Sequence, residues 1–421
     1  MNLFKTSILT AISTFLKLVS NFLVSKFLAV YVGPSGLTSV GQLQNFIAIS
    51  TAVANGSITT GVTKYVAEDE DDLRRQRVYQ TSLILIGLFS FFVSLFIIIF
   101  NDLIAEFLFS NSSYNNILKI FGFTVVFSAL NTTVLSIFNG RGEIKKFIVI
   151  NIFGSMVSLV LSILLIYMYN LKGALTALVL NQAFLFSVTF VFLLKTNWFS
   201  QVFRFNLICK ETAKKLLGYS GVAFISLVCI QITQLVIRNW ISSYTDYHSA
   251  GLWQAMLMIS NMYMLLISSI LSVYFIPKIS NEKDSGKIIE EVKNGLFFLV
   301  PCVFLTFLII FLLREQILLI VLSDDFLEIK NLIFWQLSSD LLRTIAMLFS
   351  CLILAKGKVK FALFSELSYV TTYLVLSNIL ISKLGVFGAL LSNFFAYGCY
   401  LVVNLIFFYL VFIKNKNRRY E

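Results

Sequence analysis

Twelve runs of apolar residues, each long enough to cross a bilayer, follow one another along this chain with short polar stretches between them. A spanning helix needs about 20 mainly apolar residues. Such runs fall near residues 7–32, 38–63, 79–100, 116–139, 147–169 and 173–194, then near 215–240, 250–277, 292–313, 331–355, 361–382 and 385–412. No long stretch alternates polar and apolar positions in the manner of an outer-membrane barrel. Backbone N–H and C=O groups in hydrocarbon must be satisfied within the chain, so the pattern predicts an all-α integral membrane protein with twelve transmembrane helices. The first run lacks the short apolar core and small-residue cleavage site of a removable signal and reads as a retained helix.

The pattern also repeats. Gly36-Leu37 recurs as Gly251-Leu252, Gly142 as Gly357, and Gly173-Ala174-Leu175 as Gly388-Ala389-Leu390, each 215 residues later. Three matches at one offset indicate an internal duplication with six spans per copy. An even number of spans gives the copies one orientation, related by an axis along the membrane normal. The expected organisation is an N-terminal six-helix bundle (1–194), a charged cytoplasmic linker (195–214) and a C-terminal six-helix bundle (215–421), two parallel repeats around a central cavity.

Composition agrees with this reading. The 421 residues are 58% hydrophobic and only 13% charged, with a mean hydropathy of +0.86, outside the range of a soluble globular chain. A net charge of +12 would elsewhere suggest nucleic acid. Here 24 of the 33 Lys and Arg residues lie at the N-terminus, in alternate loops and in the C-terminal tail, 5 lie in the opposite loops and 4 lie inside spans. That bias predicts both termini in the cytoplasm and no nucleic-acid partner. The five cysteines are isolated, which supports neither disulfides nor a metal site. Gly140-Arg141-Gly142 follows a membrane helix rather than a strand and no Walker sequence occurs, so no nucleotide cofactor is expected. His248 reads as a solvated loop residue, and the run Glu68 to Asp72 before Arg74, Arg75 and Arg77 as a solvated, self-paired segment.

The intramembrane cations carry the candidate chemistry, because a charge in hydrocarbon is costly unless it faces protein, water or an anion. Lys17 tops a polar stripe with Thr10, Ser13 and Asn21 on one helix face, which places it toward the cavity. Lys26 lies on the opposite side near the outer end, where it either binds substrate or snorkels. Arg238 ends the stripe Gln231, Gln234, Arg238; its planar fork suits bidentate pairing with phosphate, and snorkelling is the alternative. Asp340 and Arg343, three residues apart, share one helix face and either neutralise each other or open when substrate or protons arrive. Glu366 either titrates, its pKa raised by burial, or pairs with a neighbouring cation.

Several short motifs run through both halves: Gly33-Pro34-Ser35-Gly36-Leu37, Gly61-Val62-Thr63-Lys64-Tyr65-Val66-Ala67, Gly251-Leu252-Trp253-Gln254, Trp335-Gln336-Leu337 and Ala355-Lys356. Together with Lys17 and Lys26 they resemble the Wzx-type flippases of O-antigen and enterobacterial common antigen, in the superfamily that includes the multidrug and toxic compound extrusion (MATE) transporters. The resemblance implies a non-enzymatic, multi-pass transporter of the bacterial inner membrane. Its substrate would be an undecaprenyl-diphosphate-linked oligosaccharide, moved from the cytoplasmic to the periplasmic leaflet by alternating access. Lys17, Arg238, Lys26 and Arg343, with Asn21 and Gln234, would bind substrate. Asp340 and Glu366 would couple H+ or Na+ or form structural ion pairs, and association with a glycan polymerase is left open. Two alternatives stand beside it: an ion-coupled drug or cation exporter of the same fold, and a membrane glycan polymerase.

Overall fold

The computed structural model describes residues 3–69, 71–202, 209–271, 275–282 and 284–413. Fourteen α-helices run through these residues: α1 (Leu3–Ala54), α2 (Thr59–Glu68), α3 (Asp72–Ile99), α4 (Asn101–Phe109), α5 (Asn115–Gly140), α6 (Ile144–Leu194), α7 (Phe199–Val202), α8 (Lys210–Tyr244), α9 (Tyr247–Ile270), α10 (Ile276–Asn281), α11 (Ser285–Leu312), α12 (Arg314–Val321), α13 (Ile333–Ala355) and α14 (Val359–Phe408). Among the described residues nine helices are long and apolar enough to cross a membrane. The protein is a multi-pass membrane protein. Large side chains such as Phe297 and Phe298, 83% and 71% exposed, suit lipid contact rather than water. Of the cations expected in cytoplasmic segments, Arg204, Lys283, Lys414, Lys416, Arg418 and Arg419 lie outside the described residues.

Three of the nine apolar helices, α1, α6 and α14, are about twice the length a span requires. Each is two helices meeting at a kink: at Gly33 (φ 67, ψ −178), Asn170 (φ 48, ψ −127) and Gly385 (φ 56, ψ −133). Gly33 adopts a backbone conformation that only glycine reaches easily, and the following Pro34 disfavours helix at the residue before it. Asn is among the few other residues that tolerate positive φ. Asn170 and Gly385 are 215 positions apart, as are the left-handed Gly142 and Gly357.

The next anchor in each half follows from these kinks. After the reversal the second helix passes against the end of the first. A Cβ on Gly173 would sit 1.8 Å from the Leu165 carbonyl oxygen, and one on Gly388 would sit 2.2 Å from that of Leu380. Only glycine fits such an approach.

The chain divides into two units, one comprising Met1–Val32 and Ser39–Leu235, the other Gly33–Thr38 and Val236–Glu421. In the first unit Trp198, within the stretch expected as linker, is 3% exposed. Its indole donates to Glu143 at 2.8 Å, and it packs on Phe138, ring centroids 5.1 Å apart, and on the Arg141 guanidinium. Lys146 and Arg141 also donate to Glu143, at 2.8 and 3.2 Å. Partial burial pushes the Glu143 carboxyl up, but hydrogen bonds from Lys146 and Trp198 outweigh it and hold the carboxyl below its ordinary value. Residues 203–208 of the expected linker lie outside the described residues.

In the second unit Lys356 caps the C-terminal end of α10, donating to the carbonyls of Ile279, at 2.8 Å, and Glu282. A cation there complements the helix dipole. Three of the membrane spans start from matching caps. Asp71 accepts from Leu73 N (3.0 Å), Asp246 from Ser249 N (2.6 Å) and Asp284 from Gly286 N (2.9 Å) at the starts of α3, α9 and α11. The segment around Glu68 is self-paired in part: Arg74 meets Asp69 and Asp71 at 3.8 and 3.9 Å and Lys64 meets Glu68 at 3.7 Å, whereas Arg75 donates to the Val66 carbonyl at 3.2 Å, and Glu70 lies outside the described residues. The second apolar run ends earlier than its composition suggests. Helix α1 stops at Ala54, and a turn carrying positive φ at Gly56 and Ser57 leads into α2.

Candidate functional site: polar clusters inside the spans

Helical phase sorts the expected residues by environment. In the first unit Lys17 and Asn21, one turn apart on α1, are both exposed, while Ser13 and Lys26 are half-buried. The Thr10 side chain lies outside the described part of the structure. The polar stripe thus lies on an open face. Gln234, on the first unit's part of α8, is half-buried and belongs to a cluster that the sequence did not reveal. Asn45 donates through Nδ2 to Gln231 Oε1 (2.6 Å) and Gln234 Oε1 (2.9 Å). Asn45 is 4% exposed. Its amide ties the second half of α1 to α8 by bonds that lipid cannot replace.

Arg238 belongs to the second unit and is fully buried, at 0% exposure. Its guanidinium lies 5.4 Å from the Trp253 ring and donates to Gln254 Oε1 at 2.5 Å. The Gly251-Leu252-Trp253-Gln254 motif thereby gains a structural meaning. Trp253 and Gln254 hold the arginine by stacking and hydrogen bonding. Beside them a Cβ on Gly251 would sit 1.7 Å from the Pro34 carbonyl oxygen, and Thr38 donates to the Tyr247 carbonyl at 2.6 Å.

The richest constellation surrounds Asp340, at 1% exposure. Its Oδ2 accepts from Ser260 Oγ (2.7 Å), Tyr263 OH (2.5 Å) and Gln336 Nε2 (2.9 Å). Its Oδ1 lies 3.9 Å from Arg343 Nη1. The expected Asp340–Arg343 pair is therefore formed, but beyond hydrogen-bonding reach; the hydroxyls and amide satisfy Oδ2, while the buried Oδ1 has no hydrogen bond among the described residues and only the more distant Arg343 guanidinium beside it. Arg343 is the open member, its side chain 31% exposed. Its guanidinium lies 5.8 Å from the Tyr397 ring. Tyr397 stacks on Tyr369 at 4.5 Å, and the Tyr369 hydroxyl donates to Asn393 Oδ1 at 3.0 Å. Glu366, three residues before Tyr369 on the same face of α14, is half-buried.

Sequence reasoning missed Ser260, Tyr263, Asn393 and the tyrosines. Their signals were there in the spacing: Gln336 and Asp340 are four apart, as are Tyr369 and Tyr373, while Tyr397 and Tyr400 are three apart. The partners that complete the cluster come from other helices.

Comparison with known proteins narrows what this arrangement belongs to. The chain is 28% identical over 390 residues to the "Lipid III flippase" of Escherichia coli (strain K12), covering 92% of this chain and 94% of that protein. Among solved structures it resembles an inward-facing multidrug resistance MATE family transporter of the MOP superfamily, with TM-score 0.80 and 16% identity over 96% of both chains. It also resembles the lipid II flippase MurJ, with TM-score 0.71 and 18% identity over 96% of this chain and 87% of that one. At these identities the structures establish a MATE-like fold. The model of the polysaccharide biosynthesis protein family matches residues 43–331, more than half of the sequence, and the chain belongs to that family.

Proposed function

We propose that this protein is a flippase that moves a polyprenyl-diphosphate-linked oligosaccharide from the cytoplasmic to the periplasmic leaflet of the bacterial inner membrane. The observation that carries the reading is the likeness to the lipid III flippase along nearly the whole of both chains. The chemistry fits it. A diphosphate needs cations within the membrane, the sugars need hydroxyl and amide partners, and the prenyl tail stays in lipid. Lys17, Asn21 and Lys26 on α1 would bind substrate, as would Arg343 on α13, the cations pairing with phosphate. Gln234 would offer an amide to the glycan, and Arg238 would act from its buried position through Trp253 and Gln254.

In this reading the chain makes twelve spans, the three kinked helices crossing twice. The kinks at Asn170 and Gly385 support two parallel repeats, and the distribution of Lys and Arg supports cytoplasmic termini. Two six-helix bundles joined by a cytoplasmic linker would alternate access to a central cavity. H+ or Na+ acting at Asp340 or Glu366 would drive the cycle by binding its states with different affinity. A glycan polymerase would be its protein partner.

The test is transport of a defined undecaprenyl-diphosphate-linked oligosaccharide in reconstituted vesicles, with and without imposed proton or sodium gradients. Flipping that depends on Lys17 supports the reading. Wild-type protein that moves no lipid-linked sugar, while exporting cationic drugs, refutes it.

A further inference from the structure

Four tyrosines gather where this chain has every opportunity to use phenylalanine. The sequence holds 43 Phe and 17 Tyr, and a phenol placed in hydrocarbon is costly unless its hydroxyl finds a partner. Tyr369 and Tyr373 lie before the Gly385 kink of α14, and Tyr397 and Tyr400 after it. Reversal at the kink brings the two sets together. Tyr369 stacks on Tyr397 at 4.5 Å and 27°, and lies 5.7 Å from Tyr373 and 6.2 Å from Tyr400.

The cluster is closed on one side and open on the other. Tyr373 and Tyr400 are 3% and 8% exposed, whereas Tyr369 and Tyr397 are half-buried. Arg343 completes the open side, with its guanidinium over Tyr397 and its donors not consumed by the 3.9 Å contact to Asp340. Arg343, Tyr369 and Tyr397 each lie near the middle of their helical segments, the depth at which transporters of this kind hold substrate.

Resting on the flippase reading, we propose that Tyr369 and Tyr397, with Asn393 behind them, form a subsite for the sugar ring next to the diphosphate. Arg343 takes a phosphate oxygen through its planar fork. The adjoining ring then meets rigid aromatic surface and phenol hydroxyls, which supply contact area and hydrogen bonds at little conformational cost. Tyr369 is positioned by its bond to Asn393, and Tyr397 by its stack on Tyr369.

The experiment measures binding of two probes to the full-length protein in lipid nanodiscs: undecaprenyl diphosphate, and the same lipid carrying one N-acetylhexosamine. Wild type is expected to bind the sugar-bearing lipid about tenfold tighter, the scale of one aromatic contact. Tyr397→Leu should abolish that preference, weakening the sugar-bearing lipid about tenfold more than undecaprenyl diphosphate. Arg343→Gln should weaken both probes alike. Tyr397→Phe, which keeps the ring but removes the hydroxyl, serves if the leucine variant does not fold, and should lose part of the preference; a preference equal to wild type in it overturns the role given to the phenol. Equal binding of the two probes by wild type, or an intact preference in Tyr397→Leu, overturns the subsite while leaving the flippase reading in place. Wild type that binds neither probe overturns both.

Discussion

Replacing Asp340 separates the charge of the buried cluster from its hydrogen bonds. The carboxylate accepts from Ser260, Tyr263 and Gln336 at 2.7, 2.5 and 2.9 Å. Hydrogen bonds to a charged group contribute about 1.5–3 kcal/mol each and neutral ones about 0.5–1.5. Asp340→Asn keeps the shape and exchanges three charge-assisted bonds for neutral ones. Polar contacts in membrane proteins fall at the low end of such ranges, so the expected cost is about 2 kcal/mol. Asp340→Ala leaves three donors unpartnered and opens a void, for an expected cost of about 4 kcal/mol.

The Arg343 contact should add little to either figure. At 3.9 Å, with the arginine side chain 31% exposed, its coupling to Asp340 should stay below about 1 kcal/mol. Equilibrium unfolding in mixed micelles measures the single variants, and a double-mutant cycle with Arg343→Met isolates the pair. If Asp340→Ala is as stable as wild type, or Asn and Ala cost the same, the hydrogen-bonded carboxylate is not what holds α9 to α13. A coupling of about 3 kcal/mol from the cycle would mean that the ion pair dominates, the scale of a close buried pair rather than of a 3.9 Å contact with a partly open arginine.

Arg238→Ala should lower stability by about 3 kcal/mol, because the stack on Trp253 and the bond to Gln254 are lost from a fully buried position; unfolding in the same micelles measures it. Lys17→Ala, at an exposed position, should leave unfolding within about 0.5 kcal/mol of wild type while reducing transport in vesicles. Gly388→Ala should sharply lower the yield of folded protein, since its Cβ would fall 2.2 Å from a carbonyl oxygen, whereas Gly398→Ala, with nothing within 4 Å, should be neutral or slightly stabilising. Glu143 has its pKa held below the ordinary value, so its contribution is present above the unfolded-state pKa and is lost as pH falls through the lower folded value. Trp198 fluorescence followed from neutral to acid pH should report that loss, and Glu143→Gln should remove the transition.

Most of the architecture was legible because hydrocarbon imposes a simple rule on sequence. A chain that must satisfy its backbone without water forms apolar helices, and runs of about 20 residues mark them. The 215-residue offset identified Gly173 and Gly388 before their close approaches to Leu165 and Leu380 supplied the reason. Helix ends were less legible. The second run continues apolar beyond Ala54, where the turn at Gly56 and Ser57 ends the helix. The short helices α4 and α12 fall in the stretches between the apolar runs, where no span is expected.

The sequence alone determined that this is a multi-pass helical membrane protein with cations inside its spans, and that Asp340 and Arg343 share a face. Only the tertiary structure decided what surrounds each charge. Arg238 is buried against Trp253 and Gln254, one oxygen of Asp340 accepts from Ser260, Tyr263 and Gln336, and Arg343 stays partly open over Tyr397. The reason is geometric. Helical period fixes which residues share a face of one helix, but the partners that satisfy a buried charge come from other helices, and the packing that brings them together is not written in the period of any one of them.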